Sequence, residues 1–187
     1  MNIRREFPTY ELEEVKMRKL RFEDAADMLN YLTDKEVTKY LPDEAHKNKL
    51  TEVKEMIKNI NKGFENKDKI RWGIEYKKNS KVIGDCGFYK IDLKNKSGEI
   101  SYRLSKDYWK KGLMTDILWQ MLFYGFEKLK LNRIEASVLP NNIGSIKLLE
   151  KLGFKKEGVF RDALFKNNDY YNLKVYSLLQ KEYNNIK

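Results

Sequence analysis

The chain has 187 residues, 41% of them hydrophobic and 13% aromatic, the size and apolar content of one folded domain rather than of a disordered tail. Its 38 Lys and Arg against 28 Asp and Glu give a formal charge of +10, a bias toward anions that names no particular partner. One cysteine, Cys86, and one histidine, His46, exclude an intramolecular disulfide and leave no Cys/His cluster for structural zinc, so no metal is expected.

In chain order, Val15 to Leu20 alternates apolar and basic residues as a half-buried strand does. Phe22, Ala25, Ala26, Met28, Leu29 and Leu32 then recur at helical spacing, and Asp34 to Tyr40 suits a short second helix before Pro42. Leu50, Val53, Met56, Ile57 and Ile60 predict an amphipathic helix over His46 to Asn61. Two β-rich runs, Ile70 to Tyr76 and Val82 to Ile91, flank a polar turn, and a further strand, Gly98 to Ser105, follows Asn95-Lys96-Ser97. The apolar spacing from Leu113 to Leu129 predicts a long helix that starts after Gly112. Ile134 to Leu139 reads as a strand, Ile143 to Leu152 as a helix stopped by Gly153, and Lys155 to Phe165 with Tyr170 to Leu179 as a closing pair of strands. No repeat, linker or low-complexity block divides the chain.

Two segments carry chemistry. Tyr108 to Asp116 joins a strand to a helix N-terminus, where unpaired amides and the positive end of the helix dipole can hold a pyrophosphate. Gly112 permits close backbone approach there, and Lys110 and Lys111 add positive charge. The second segment, Leu139 to Phe154, ends a strand, opens a helix at Asn142 and closes it at Gly153. Taken singly, Gly112 reads as a turn residue, Asn142 as a helix cap and Ser145 as a first-turn residue.

Together, the two segments resemble the GNAT acetyltransferases, in particular the branch that acetylates the N-termini of ribosomal proteins. Trp109 to Asp116 is similar to that branch's loop, Trp-x-x-Gly-x-Ala-Thr-Glu, with Met114 where a small residue is usual and Asp116 in place of Glu. Asn142, Ser145, Lys151, Gly153 and Phe154 match its later signature, and Gly98 to Leu104 matches its phrase before the loop. The resemblance runs from Val15 to Leu179. It implies residues 1–14 as an N-terminal extension and 15–187 as a single GNAT domain. The implied fold is an α/β (α+β) one, a mixed, mostly antiparallel sheet of six to seven strands flanked by helices and splayed between its fourth and fifth strands, Gly98 to Ser105 and Ile134 to Leu139.

The same resemblance implies acetyl-CoA as co-substrate in the gap, with direct transfer to a primary amine. Tyr102 and Leu104 would pair with the pantetheine through their backbone. Trp109, Lys110, Lys111, Gly112, Met114 and Thr115 would form the pyrophosphate loop. Asn142 would orient pantetheine or a water, and Lys147 and Lys151 would reach the adenosine phosphates. Ser145 is the first candidate for the acid that reprotonates the CoA sulfur, with Tyr102, Tyr170 and Tyr171 behind it. Glu99 is the candidate base, with Asp34 and Glu36 as looser ones. Cys86, in an apolar run without a nearby His, reads as a core residue.

Two rival readings stay open: a noncatalytic acyl-CoA-binding module, and a basic ribosome- or RNA-associated protein whose binding would weaken steeply with salt. The lysines lack Arg-rich clustering and spaced aromatic platforms, which sets nucleic acid aside as a partner, although a ribosomal protein stays open as acceptor. Residues Met1 to Thr9 lack the apolar core of a signal peptide and no run reaches about 18 apolar residues, so the cytoplasm is the expected location and no membrane is expected as partner. Oligomeric state is not legible, and a homodimer stays open. Which amine accepts the acetyl group is equally open, because the first two helices and the last hairpin, which would select it, carry no motif.

Overall fold

The computed structural model describes residues 6–187. Eight strands, β1 (Tyr10–Glu11), β2 (Val15–Arg18), β3 (Ile70–Tyr76), β4 (Lys81–Asp92), β5 (Ser97–Leu104), β6 (Arg133–Val138), β7 (Lys155–Lys166) and β8 (Asp169–Leu179), form one sheet in the order β1-β2-β3-β4-β5-β6-β8-β7. Neighbours are antiparallel except β5 and β6. The count exceeds the expected six to seven because of β1, a two-residue strand too short to carry any periodic signal. Pairing of Tyr10 with Met17 holds it in place. Just before it, Phe7 packs on the Phe64 and Trp72 rings, and Trp72 Nε1 donates to the Pro8 carbonyl at 2.7 Å.

The helices are α1 (Ala25–Leu32), α2 (Lys35–Thr38), α3 (Leu50–Asn66), α4 (Leu113–Phe123), α5 (Ile143–Lys151) and α6 (Gln180–Tyr183). Helix α3 begins later than its apolar spacing suggests, because Glu52 Oε2 accepts from the amides of Asn48 and Lys49, each at 3.0 Å, and so fixes the N-terminus at Lys49. It also runs past Asn61, ending where Lys67 turns left-handed at φ 64°. The helix expected to continue to Leu129 instead ends at Phe123 in a π-helical turn, Tyr124–Lys128, that still buries Phe126 completely. Among the described residues no helix is long and apolar enough to cross a membrane.

Alternation along β3 to β5 divides the interior in two. Trp72, Cys86, Phe88 and Ile100 meet Leu113, Ile117, Leu118 and Met121 of α4, with Ile146 and Leu149 of α5 in the same core. A second core gathers Leu20, Met28, Leu32, Val53, Ile57 and Val82 around α1 and α3. Each fully buried Leu, Ile or Met contributes roughly 1.5–3 kcal/mol, which fixes helices on both sides of the sheet.

One interruption in this sheet positions everything that follows. Strands β5 and β6 pair only at Ser97↔Arg133, Gly98↔Ile134 and Glu99↔Glu135. Beyond that point β5 stays with β4 as far as Gly84↔Leu104, while β6 stays with β8 as far as Val138↔Lys174. The two strands therefore part, between the elements expected to splay.

Candidate active site

The parting opens a cleft of about 1110 Å³ that reaches from the α2 segment on one side to the loop before α4 on the other. Ile100 to Leu104 form one wall and Ala136 to Leu139 the other. Among the residues singled out from the sequence, Tyr102, Leu104, Trp109, Lys110, Lys111, Gly112, Met114, Thr115, Asn142 and Ser145 line it, as does the looser base candidate Glu36. Glu99 lies at the base of the fork, while Lys147 and Lys151 stand exposed on α5, outside the lining.

The loop before α4 is shaped by two left-handed residues, Lys110 at φ 60° and Gly112 at φ 83°. Successive turns of this kind curl the amides inward into a nest for an anion. A Cβ on Gly112 would meet nothing within 4 Å, so the glycine is required by its dihedral angle and not by crowding. Thr115 N already bonds the Gly112 carbonyl at 2.8 Å. The amides of Leu113 and Met114 precede any helical partner and are the donors left for a ligand. Trp109 Nε1 donates to the Leu104 carbonyl at 2.7 Å, which pins the loop to the end of β5 and occupies one of the backbone groups expected to face pantetheine. The Lys111 ammonium lies 5.1 Å from the Tyr108 ring.

On the β5 wall, the Tyr102 hydroxyl is buried without a hydrogen-bond partner of ordinary geometry and sits beside Ser145. Burial pushes its phenol up to about 12, with Ser145 acting in the opposite direction. Asn142 caps α5, its Oδ1 accepting from Ser145 N at 3.2 Å, so this side chain is engaged by its own helix. At the fork, Ser137 Oγ donates to Glu99 Oε1 at 3.1 Å. Burial, then the hydrogen bond to Glu99, pushes the Tyr89 phenol upward. Asp34 is likewise spent on capping α2, accepting from Glu36 N at 2.8 Å, whereas Glu36 faces the cleft. Cys86 is fully buried, and burial pushes its thiol up, so no thiolate is available at neutral pH.

Residues 14–155 match the family model described as the acetyltransferase (GNAT) domain. The chain belongs to the GNAT acetyltransferase family. An uncharacterized N-acetyltransferase of Bacillus licheniformis, p20, is 39% identical over 171 residues, covering 91% of this chain and 96% of that protein. Two solved structures share the GNAT fold. The ribosomal-protein-S5-alanine acetyltransferase of Vibrio fischeri superposes with a TM-score of 0.83 at 22% identity, covering 94% of this chain and 98% of its own. The microcin C7 self-immunity acetyltransferase MccE, solved with acetyl-CoA and AMP, gives 0.81 at 23% identity, covering 90% and 93%. The protein is thus a GNAT acyltransferase.

Sequence reading missed one constellation in this GNAT cleft. Asp85 of β4, fully buried, accepts from Tyr31 at 2.7 Å, from Arg103 Nε at 3.0 Å and Nη2 at 2.9 Å, and from Arg71 Nε. Burial alone would raise the Asp85 carboxyl, yet the two guanidiniums override it and hold the group at about 2. The available signal was a single carboxylate inside the otherwise apolar run Val82 to Phe88, a charge that must find partners across the sheet. Those partners are 14 and 18 residues away and become identifiable only when the strand register is known.

Proposed function

We propose that this enzyme transfers the acetyl group of acetyl-CoA directly to a primary amine. The observation that carries this reading is the parting of β5 and β6, with a left-handed, amide-rich loop at one end of the opening and the Tyr102 hydroxyl buried in its wall. The residues fit such a co-substrate: the free amides of Leu113 and Met114, together with Lys110 and Lys111, complement a pyrophosphate. The backbone of Ile100 to Leu104, having lost its β6 partner, complements an extended chain. Acetyl-CoA supplies the activated acetyl group as a thioester, and the remaining work falls to side chains of this protein.

In the transfer, a bond forms from the amine nitrogen to the carbonyl carbon and the carbon–sulfur bond breaks. The amine loses a proton and the sulfur gains one. Tyr102, still protonated at neutral pH, donates toward the sulfur, with Ser145 beside it as relay. This orders the two candidates differently from the sequence, which put Ser145 first. Glu99, at the base of the fork, receives the amine proton through the polar groups of Tyr89 and Ser137. A correctly placed acid or base of this kind contributes about 10²- to 10⁴-fold. The proposed acceptor is a protein N-terminus or a small-molecule amine; neighbours that share the fold include a ribosomal-protein-S5-alanine acetyltransferase and a microcin C7 self-immunity acetyltransferase.

The test is to incubate the protein with acetyl-CoA and a panel of amines and to follow free thiol together with acetylated product by mass spectrometry. Amine-dependent release of both is expected. Saturable acetyl-CoA binding with no release for any amine would leave a binding module in place of an enzyme acting on amines.

A further inference from the structure

Arg71, Asp85, Ser101 and Arg103 project from β3, β4 and β5 toward the α1 side of the sheet, where Tyr31 meets them. Arg71 reaches Ser101 Oγ at 2.8 Å by passing over Gly87, which stands between them in the register and offers no side chain to block the path. A Cβ at Gly87 would lie 2.1 Å from the Ile70 carbonyl, so the backbone approach depends on glycine. Both guanidiniums line the cleft, on the side away from the loop before α4.

The charge around the two guanidiniums themselves does not balance. One carboxylate, Asp85, serves two guanidiniums, and Tyr31 stays neutral because burial pushes its phenol well upward. The other charged residues lining this half, Glu36 and Lys69, offset each other, and the Glu99 carboxylate at the base of the fork is engaged by Ser137 and not by either arginine. Donor capacity is also left over. Arg71 uses Nε and Nη1, and Arg103 uses Nε and Nη2, while Arg71 Nη2 and Arg103 Nη1 take no partner among the described residues. Neither nitrogen is among the fully buried orphans, and both residues line the cleft with side chains 12% and 8% exposed, so a ligand there meets donors that the protein has not used. Asp85 aligns the two planar forks and so prepays the ordering that a bidentate contact needs.

We infer that Arg71 and Arg103 form an oxyanion-binding subsite in the acceptor half of the cleft, and that the acceptor is a small amine carrying a carboxylate or phosphate. This rests on the acetyltransferase reading for the word acceptor; the anion subsite itself does not. A polyamine, all cationic, is the kind of acceptor this subsite repels.

The experiment titrates CoA-saturated protein, whose phosphate loop is already engaged, with phosphoethanolamine and β-alanine and with ethanolamine and β-alaninamide, their counterparts that keep the amine and lack the anionic group. The side-chain Nε–H signals of Arg71 and Arg103 are followed by NMR, with exposed Arg161 as control. Saturable shifts of both arginines are expected for one anionic member, with affinity at least about tenfold above its counterpart, and loss of that preference in Arg71→Gln. The two anionic arms separate phosphate from carboxylate recognition. Equal response to members with and without the anionic group, or a preference that survives in Arg71→Gln, would overturn the subsite. Should Arg71→Gln fail to fold, Arg71→Lys, which keeps the charge but not the fork, is expected to lose most of the preference; full retention counts against the subsite. Thiol release in parallel samples, loaded with acetyl-CoA in place of CoA, distinguishes the two claims. Anion binding without release with acetyl-CoA retains the subsite and removes transfer to these amines. Release that favours the members without the anionic group keeps the transfer and removes the subsite.

Discussion

The Tyr102 hydroxyl and Ser145 face each other across the opening of the sheet, one from the wall of β5 and one from the first turn of α5. The hydroxyl gains no hydrogen bond of ordinary geometry from its own fold while sitting buried. An orphaned buried donor costs about 1–3 kcal/mol, an expense normally tolerated only where the group is used.

Tyr102→Phe therefore separates stability from activity. The ring remains and the orphan goes, so the melting temperature is expected to hold or rise slightly. Amine-dependent thiol release is expected to fall by about 10²-fold or more. Ser145→Ala should lower the rate less. Paired melting curves and rate measurements check this; a variant that keeps full rate removes Tyr102 from the proton path.

Asp85 sets the acid limit of the fold. Its carboxyl is held at about 2, below the ordinary carboxylate value near 3.8, so the stability it contributes is fully present above about 4 and is lost as pH falls toward 2. Asp85→Asn leaves two guanidiniums without their counter-ion and is expected to cost about 3–5 kcal/mol at neutral pH. Denaturant melts between pH 2 and 7 should show the wild type and the variant converging at the acid end.

Lys166 fastens the last hairpin to the α2 segment. Its side chain, on a residue only 5% exposed, donates to the carbonyls of Leu41 at 2.5 Å and Thr38 at 3.2 Å, beside Asp43. Lys166→Met should destabilise by about 1–3 kcal/mol and, more tellingly, speed hydrogen exchange over residues 35–45 while leaving β3 to β5 protected. Uniform loss of protection would assign Lys166 to global stability and not to this clasp.

Much of this organisation was legible in the sequence, and the parts that were not have physical reasons. The loop from Trp109 to Thr115 and the cap at Asn142 are local devices, readable from neighbours in the chain, and the cleft receives them both. Strands β2 to β8 were legible from alternation and turn residues. Three features were not. The strand β1 is two residues long, the π-helical turn after Phe123 preserves the apolar spacing of a continuous helix, and the start of α3 depends on Glu52 reaching back to Asn48 and Lys49. The Arg71–Asp85–Arg103 group was out of reach for another reason: it exists only through the registers of β3, β4 and β5. Lys147 and Lys151, proposed to reach the adenosine phosphates, stand exposed on α5 outside the residues that line the cleft.

The most direct measurement is calorimetric titration of acetyl-CoA into the wild type, Gly112→Asp and Gly112→Asn. Asparagine tolerates the left-handed angle without adding charge, so it reports the strain alone. The account predicts saturable binding by the wild type, modest weakening in Gly112→Asn and loss in Gly112→Asp, whose carboxylate faces the phosphate loop. Wild-type protein that is folded and takes up no acetyl-CoA, or Gly112→Asp that binds as tightly as the wild type, would contradict it.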